Sequence, residues 1–313
     1  MRTLGTRNGS RRTRARRFIR KMRGGSQGHL IEGTDGNCYV VKFVNNLQHR
    51  RVLINDWVSS HLMRRIGIST PPTALIDVAP KFIAQNPEVY IQGRSGRISV
   101  ETGVHFGSRY PGNPYTSVVY DVLPDAWLSR VINRKDFIGA LVFDRWVCNM
   151  DVPQAIYVPV PGPPTEESAL TMFEALMIDR GHAFGGPEWV LRDSPIIGIN
   201  RRKSFYDGLR GIRDCEPWLS RVEAITREEL CAIFDTIPRN WRDVSVDKMN
   251  QLARGLLNER FRIADSIIQS ANSPEQPFRE WEGCETRERL GAAREMRGFK
   301  GVEDEAQLFK TTA

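Results

Sequence analysis

Along this chain the apolar positions follow two different periods. In the first 123 residues they come as short runs cut by Gly, Pro, Asn and Asp, the mark of strands and turns. Beyond residue 124 they mostly recur every three or four positions, as on helices that cover a core, with short apolar runs at 155–158 and 175–178 between them. Runs at 29–32 and 38–44 flank Gly33-Thr34-Asp35-Gly36-Asn37 and predict a hairpin. Ile54, Val58, Leu62 and Ile66 predict a helix over 52–66, stopped by Gly67 and the Pro71-Pro72 pair. Further strands are expected at 74–78, 89–91 and 117–123. Residues 103–114, rich in turn formers and aromatic side chains, are expected to form an ordered loop. Helices are expected over 136–148 and 216–223, and over 226–235, where Thr226 and Glu229 make a capping box. One long helix is expected to open at Ser245 and bury Leu252, Leu256, Ile263 and Ile267. No repeat is evident.

Strands first and helices after predict an α+β fold of two lobes with a cleft between them. The expected divisions are a basic disordered arm over 1–22, a strand-rich lobe over 23–123, a helical lobe over 124–272 and a charged mobile tail over 273–313, with a transient helix at 285–297. The net charge of +8 belongs to the arm: residues 1–23 hold nine Arg and one Lys and no acid, so the remaining chain is slightly acidic. Such a block is either a solvated arm or a binding element for nucleic acid or another polyanion. Its one aromatic residue, Phe18, offers little for base stacking. No apolar run is long enough to span a membrane, and no apolar segment follows the basic start as in a secretory signal. Five scattered cysteines, Cys38, Cys148, Cys215, Cys231 and Cys284, form no metal-ligand motif and read as reduced thiols of a cytoplasmic protein.

Candidate chemistry collects at five places. Gly24 and Gly25, with Ser26 and Gln27, precede the first hairpin strand and leave backbone N–H groups free to face an anion; a plain loop is the competing reading. Lys42 interrupts an apolar strand and either snorkels to solvent or meets a buried anion. Asp56 lies off the apolar stripe of its helix, where it either pairs with Lys42 or faces solvent. Asp151 and Asp179 each follow an apolar element where the chain must turn, as caps or as chemistry held rigidly at a cleft. An anion loop, a lysine and two acids behind a helix are the parts that phosphoryl transfer uses.

Taken in order these stretches resemble the HipA-like kinases. The resemblance runs from about residue 23 to about 270 and is closest to short, single-module members. It rests on Arg-Gly-Gly-Ser-Gln (23–27), Tyr-Val-Val-Lys-Phe (39–43), Asn-Asp-Trp-Val (55–58), His-Phe-Gly-Ser-Arg-Tyr-Pro (105–111), Val-Tyr-Asp-Val-Leu-Pro-Asp (119–125), the Phe-Asp-Arg-Trp and Asn-Met-Asp segment (143–151) and Ile-Asp-Arg-Gly (178–181). It implies a protein-kinase-like fold related to phosphatidylinositol kinases. It also implies ATP under residues 24–28 with Lys42 on its phosphates, adenine near Tyr120, Asp121 and Leu123, Asp151 as the catalytic acid and Asp179 as a Mg²⁺ ligand.

Three positions depart from the family pattern. Asp56 stands where Glu is common. Pro153 replaces a basic residue two places after Asp151. Ile156 stands where a second metal ligand is found, which leaves Gln154 as the nearest replacement. The function expected from the sequence is Mg·ATP-dependent transfer of phosphate to a hydroxyl, foremost Ser or Thr of a protein. A nucleotide-binding pseudokinase and a nucleic-acid-binding protein acting through the basic arm are the competing readings.

Overall fold

A computed structural model describes residues 12–160 and 171–282 of the chain. The chain enters at β1 (Arg12–Lys21) and continues through β2 (His29–Gly33) and β3 (Cys38–Lys42) into helix α1 (Arg51–Arg65). There follow β4 (Thr73–Val78), α2 (Pro80–Gln85), the hairpin β5 (Tyr90–Gly93) and β6 (Gly96–Ser99), and β7 (Gly103–Arg109). Five of these strands close a barrel in the order β1-β2-β3-β7-β4, with β1 and β4 parallel and the other described pairs antiparallel. Inward alternation fills it with Ile31, Tyr39, Val41, Phe43, Ala74 and Ile76.

The second lobe begins with α3 (Asp136–Trp146), followed by the hairpin β8 (Gln154–Val160) and β9 (Met172–Ile178). It ends in α4 (Trp218–Glu223), α5 (Arg227–Asp235), α6 (Val246–Glu259) and α7 (Ile263–Ala271). All eleven residues of α3 are buried, so this helix is the centre of the lobe. The larger core runs through both lobes, because α1 contributes Leu53, Trp57, Val58 and Leu62 to the same cluster as Phe143 and Trp146 of α3. Helix α1 is thus the floor of the barrel lobe and the roof of the helical one.

Several expectations need correction. The basic segment is not all a loose arm: residues 12–21 form β1, anchored by buried Thr13 and by ion pairs of Arg12 with Asp77 and of Arg16 and Arg17 with Glu32. Its pairing with β2 and β4 satisfies the backbone, while the arginines stay outside. Residues 1–11 lie outside the described residues. The expected loop at 103–114 contains β7, a strand paired on both sides. Gly107 is there for closeness rather than turning: a Cβ at this position would stand 2.5 Å from Ile76 Cγ1. The strand expected at 117–123 is absent. Tyr120 makes a single bridge to Tyr157, while Val118 and Val122 face outward. The long helix after Ser245 breaks into α6 and α7, and Arg145 of α3 reaches Ser266 on the second piece. The expected tail is packed at its start, with Phe278 edge-on to Tyr206 at 5.2 Å. Residues 283–313, with the helix expected at 285–297, lie outside the described residues.

Candidate active site

Lys42 ends β3 with its side chain buried between the lobes. Its ammonium donates to Asp56 Oδ2 and to Asp179 Oδ1, both at 2.7 Å. Asp56 comes from α1 and is sealed. Asp179 follows β9 and keeps 33% of its side chain open to the cleft. Burial would lower the Lys42 pKa, but the two carboxylates outweigh it and hold the ammonium above the ordinary lysine value. Burial pulls Asp179 upward too, and Lys42 together with Arg180 overcomes it and holds the acid below its usual range. In sealed Asp56 burial wins and pushes the acid upward.

The same turn of α1 fastens the loop after Asp179. Asp56 Oδ1 accepts the Arg180 backbone N–H at 2.8 Å. Neighbouring Asn55 donates to the carbonyls of Gly181 and Ala183 at 2.8 and 2.9 Å and accepts from the Trp189 indole at 2.8 Å. Gly181 has no room for a side chain, since a Cβ would come within 2.5 Å of Val52.

The glycine loop joins β1 to β2. Met22 N–H reaches the Gly28 carbonyl at 2.8 Å, and Gln27 N–H reaches that of Gly24 at 3.1 Å. Gly24 has φ +114°, which favours glycine. The Gln27 amide makes two bonds to the Gln92 backbone, 2.7 and 2.9 Å, tying the loop to the β5–β6 hairpin. Because His29 pairs with Val41, the loop stands over the end of β3 that carries Lys42. Gly25 is exposed and Ser26 half-buried.

Asp151 stands on the loop after α3, partly open to solvent. Its backbone N–H bonds Asn149 Oδ1 at 3.3 Å, and its own Oδ1 accepts Val152 N–H at 2.8 Å. This loop is laced to the one after Asp179: Met150 N–H meets the His182 carbonyl at 3.1 Å and Gly185 N–H meets that of Cys148 at 3.1 Å. Gln154 opens β8 opposite Ile178, so it lies across the ladder from the residue before Asp179, with its side chain exposed. Ile156 is part of that ladder, opposite Leu176. Tyr120 is bound to β8 and lies edge-on to Phe173, Leu123 is buried in the helical-lobe core, and Asp121 is exposed. Among the described residues these three form no hydrogen bond to the Lys42 cluster. Four non-glycine residues with left-handed backbone, Gln27, Cys148, Asp179 and Phe184, fall in or next to the three loops that meet here. Such backbone costs on the order of 1–3 kcal/mol each and collects at functional sites.

Sequence reasoning passed over four residues. Asn55 braces the Asp179 loop. Asp144, Asn149 and Arg180 form a buried group in which Asp144 Oδ1 accepts from Arg180 Nε at 2.8 Å and from Asn149 Nδ2 at 3.0 Å. An acid following the apolar run 137–143 in a helix buried along its whole length was the available signal for Asp144.

Among the described residues no three His, Cys, Asp or Glu side chains gather as a ready metal cage. One half-open carboxylate, Asp179, with Gln154 across the β8–β9 ladder from the residue before it, suits a hard cation that arrives with phosphate oxygens, as Mg²⁺ does, and does not suit zinc.

Residues 16–155 match the family model of the HipA-like kinases. No curated protein matches the chain. Among solved structures, a Golgi casein kinase aligns at TM-score 0.52 and 11% identity, covering 85% of this chain and 75% of that one. The Helicobacter pylori proinflammatory kinase CtkA aligns at TM-score 0.48 and 14% identity, covering 84% and 99%. The likeness to the casein kinase is one of fold. The family match holds Lys42, Asp56 and Asp151 and ends before Asp179, which the fold brings to Lys42. This chain therefore has the two-lobed α+β kinase fold, and its residues 16–155 match the HipA-like kinases.

Proposed function

We propose that this protein is a Mg·ATP-dependent kinase that transfers the γ-phosphate to a hydroxyl, foremost Ser or Thr of a protein. The observation that carries this reading is the meeting of Lys42, Asp56 and Asp179 across the lobes at 2.7 Å, with the Asp151 loop bonded to the Asp179 loop. Lys42 neutralises phosphate charge, and Asp56 keeps its head in the cleft. The glycine loop offers backbone N–H groups to the phosphates. Asp179 and Gln154 are the groups that would hold Mg²⁺, which supplies charge neutralisation at the phosphate oxygens when bound. Asp151 orients the acceptor hydroxyl and accepts its proton. Tyr120, Asp121 and Leu123, at the junction of the lobes, are the expected adenine side. Among the described residues no helix is long and apolar enough to cross a membrane, and the cysteine usage argues for the cytoplasm.

A second reading, a nucleotide-binding pseudokinase, is favoured by Ile156, which sits in the β8–β9 ladder and has no oxygen to offer a second metal. Thermal unfolding with and without Mg·ATP tests the shared part of both readings. A ligand at a hundredfold excess over its Kd stabilises the folded state by about 2.7 kcal/mol. The expected result is a metal-dependent rise in Tm that is weakened in Asp179→Asn. No rise at millimolar Mg·ATP would overturn both. Transfer of labelled phosphate, lost in Asp151→Asn with nucleotide binding retained, separates kinase from pseudokinase.

A further inference from the structure

The Asp144 carboxylate has an unusual place. It is wholly buried in the last turn of α3, seven residues before Asp151, and it touches neither the cleft nor solvent. Its Oδ1 receives two donors from two different loops. Arg180 Nε reaches it from the residue after Asp179, and Asn149 Nδ2 reaches it from the loop of Asp151. The amide oxygen of Asn149 in turn accepts the Asp151 N–H at 3.3 Å, and the Asn149 carbonyl accepts Gly198 N–H at 3.2 Å. On the other side, Arg180 Nη1 binds the carbonyls of Gln154 (3.1 Å) and Ile178, the first and last residues of β8 and β9. Its backbone N–H binds Asp56, the partner of Lys42.

These bonds form one unbroken path from Lys42 through Asp56, Arg180, Asp144 and Asn149 to the backbone of Asp151. We infer that Asp144 is a positioning residue, which fixes the Asp151 and Asp179 loops in one mutual geometry through Asn149 and Arg180. The inference rests on the kinase reading above for its catalytic meaning.

A buried charge pair is not needed merely to fill this place. An apolar pair of the same volume is often at least as stable. What the pair adds is direction: the planar guanidinium and the carboxylate set the angle at which Arg180, and with it Asp179, leaves β9. The burial that isolates Asp144 also pushes its pKa up to about 6 against the pull of Arg180 and Asn149, so the pair has little solvent to screen it. The backbone bonds between residues 147–150 and 182–185 hold the same loops from the cleft side. If those suffice, Asp144 is only a buried core acid, held by its two donors on Oδ1 with Oδ2 unpartnered.

The test compares the native protein with Asp144→Asn, Asn149→Ala and the double variant. Steady-state transfer is followed against ATP, and amide hydrogen exchange is followed over residues 149–152 and 178–182. Asp144→Asn keeps the shape and one acceptor oxygen. A displacement of about 1 Å in a catalytic constellation costs about 100-fold in rate. The expected result is that kcat falls by about that factor in each single variant while KM for ATP stays within about twofold. The double variant is expected to lose no more than either single, because both act along one path. Exchange is expected to quicken in both loops in Asp144→Asn, and in 149–152 alone in Asn149→Ala. If Asp144→Asn retains kcat within threefold of native, or if the losses multiply in the double variant, the inference is overturned. If the native protein transfers no phosphate, the kinase reading fails, and exchange alone decides the coupling: joint loss of protection supports it and unchanged protection overturns it. If Asp144→Asn does not fold, Asn149→Ala decides: unchanged kcat and unchanged exchange over 149–152 overturn the inference.

Discussion

Replacing Asp56 by Asn changes one oxygen to an amide nitrogen inside a sealed site. Asp56 is 3% exposed and accepts from Lys42 at 2.7 Å and from the Arg180 N–H at 2.8 Å. The amide has a single oxygen. If it serves Arg180, the NH₂ group faces the Lys42 ammonium, donor against donor. Removing one partner from a buried ion pair costs about 3–5 kcal/mol. Asp179 still holds Lys42, which puts the expected loss near the lower end, about 3 kcal/mol. For a large domain each kcal/mol moves Tm by roughly 2–4 °C, so Tm should fall by roughly 6–12 °C. Scanning calorimetry or urea unfolding reads this directly. Lys42→Met makes the complementary break, leaving Asp56 and Asp179 without their shared cation. In the double variant Lys42→Met/Asp56→Asn the losses should fall short of the sum by about 0.5–3 kcal/mol, the coupling of groups in contact. A loss below 1 kcal/mol for Asp56→Asn, or strict additivity in the cycle, would refute the claim that Asp56 anchors Lys42.

Other measurements probe the rest of the fold. His105 is buried in β7, where its Nδ1 accepts Val44 N–H and its Nε2 meets the Glu101 carbonyl, and burial pushes its pKa down to about 4. Against an unfolded value near 6.5, its contribution is full above that pH and lost as pH falls toward 4, in total about 3 kcal/mol. Urea unfolding at pH 7.5 and 4.5 should show the loss, and the slope should flatten in His105→Gln; an equal slope would contradict it. Gln27→Ala frees the glycine loop from Gln92 and should raise KM for ATP about three- to tenfold, since each lost hydrogen bond is worth about 1 kcal/mol; an unchanged KM means the hairpin does not hold the loop. Thr226→Ala removes the hydroxyl that accepts Glu229 N–H at 3.2 Å, leaving the Thr226 backbone N–H to Glu229 Oε2 bond at 3.0 Å, and should cost about 0.5–2 kcal/mol of stability without touching transfer.

The elements that could be read from the sequence are those whose signal is local. The β2–β3 hairpin shows in two apolar runs around a Gly/Asp/Asn turn, α1 in a four-residue apolar stripe, and α5 in the Thr226 capping box. Lys42 stood out because an ammonium in an apolar strand needs a reason. Asp151 and Asp179 stood out because each acid ends a buried element. The misreadings share one cause: the same residue types serve two ends. Glycines in β7 looked like turn formers, but Gly107 is required by the nearness of Ile76 on β4, a neighbour about thirty residues away along the chain. Arginines in β1 looked like a solvated arm, but their backbone closes a barrel and their acids are Asp77 and Glu32.

Along the chain alone, then, periodicity and turn chemistry determined a strand-rich stretch ahead of a mostly helical one, the glycine loop and the candidate acids. Those properties depend on neighbours within a few residues, where backbone sterics and local burial decide. Only the tertiary structure decided which acids meet Lys42, why Asn55 lies buried beside Asp56, and how Asp144 joins the loops of Asp151 and Asp179. These contacts are made between segments far apart in sequence. A buried charge finds its partner through three-dimensional packing, and no local pattern records which one it will be.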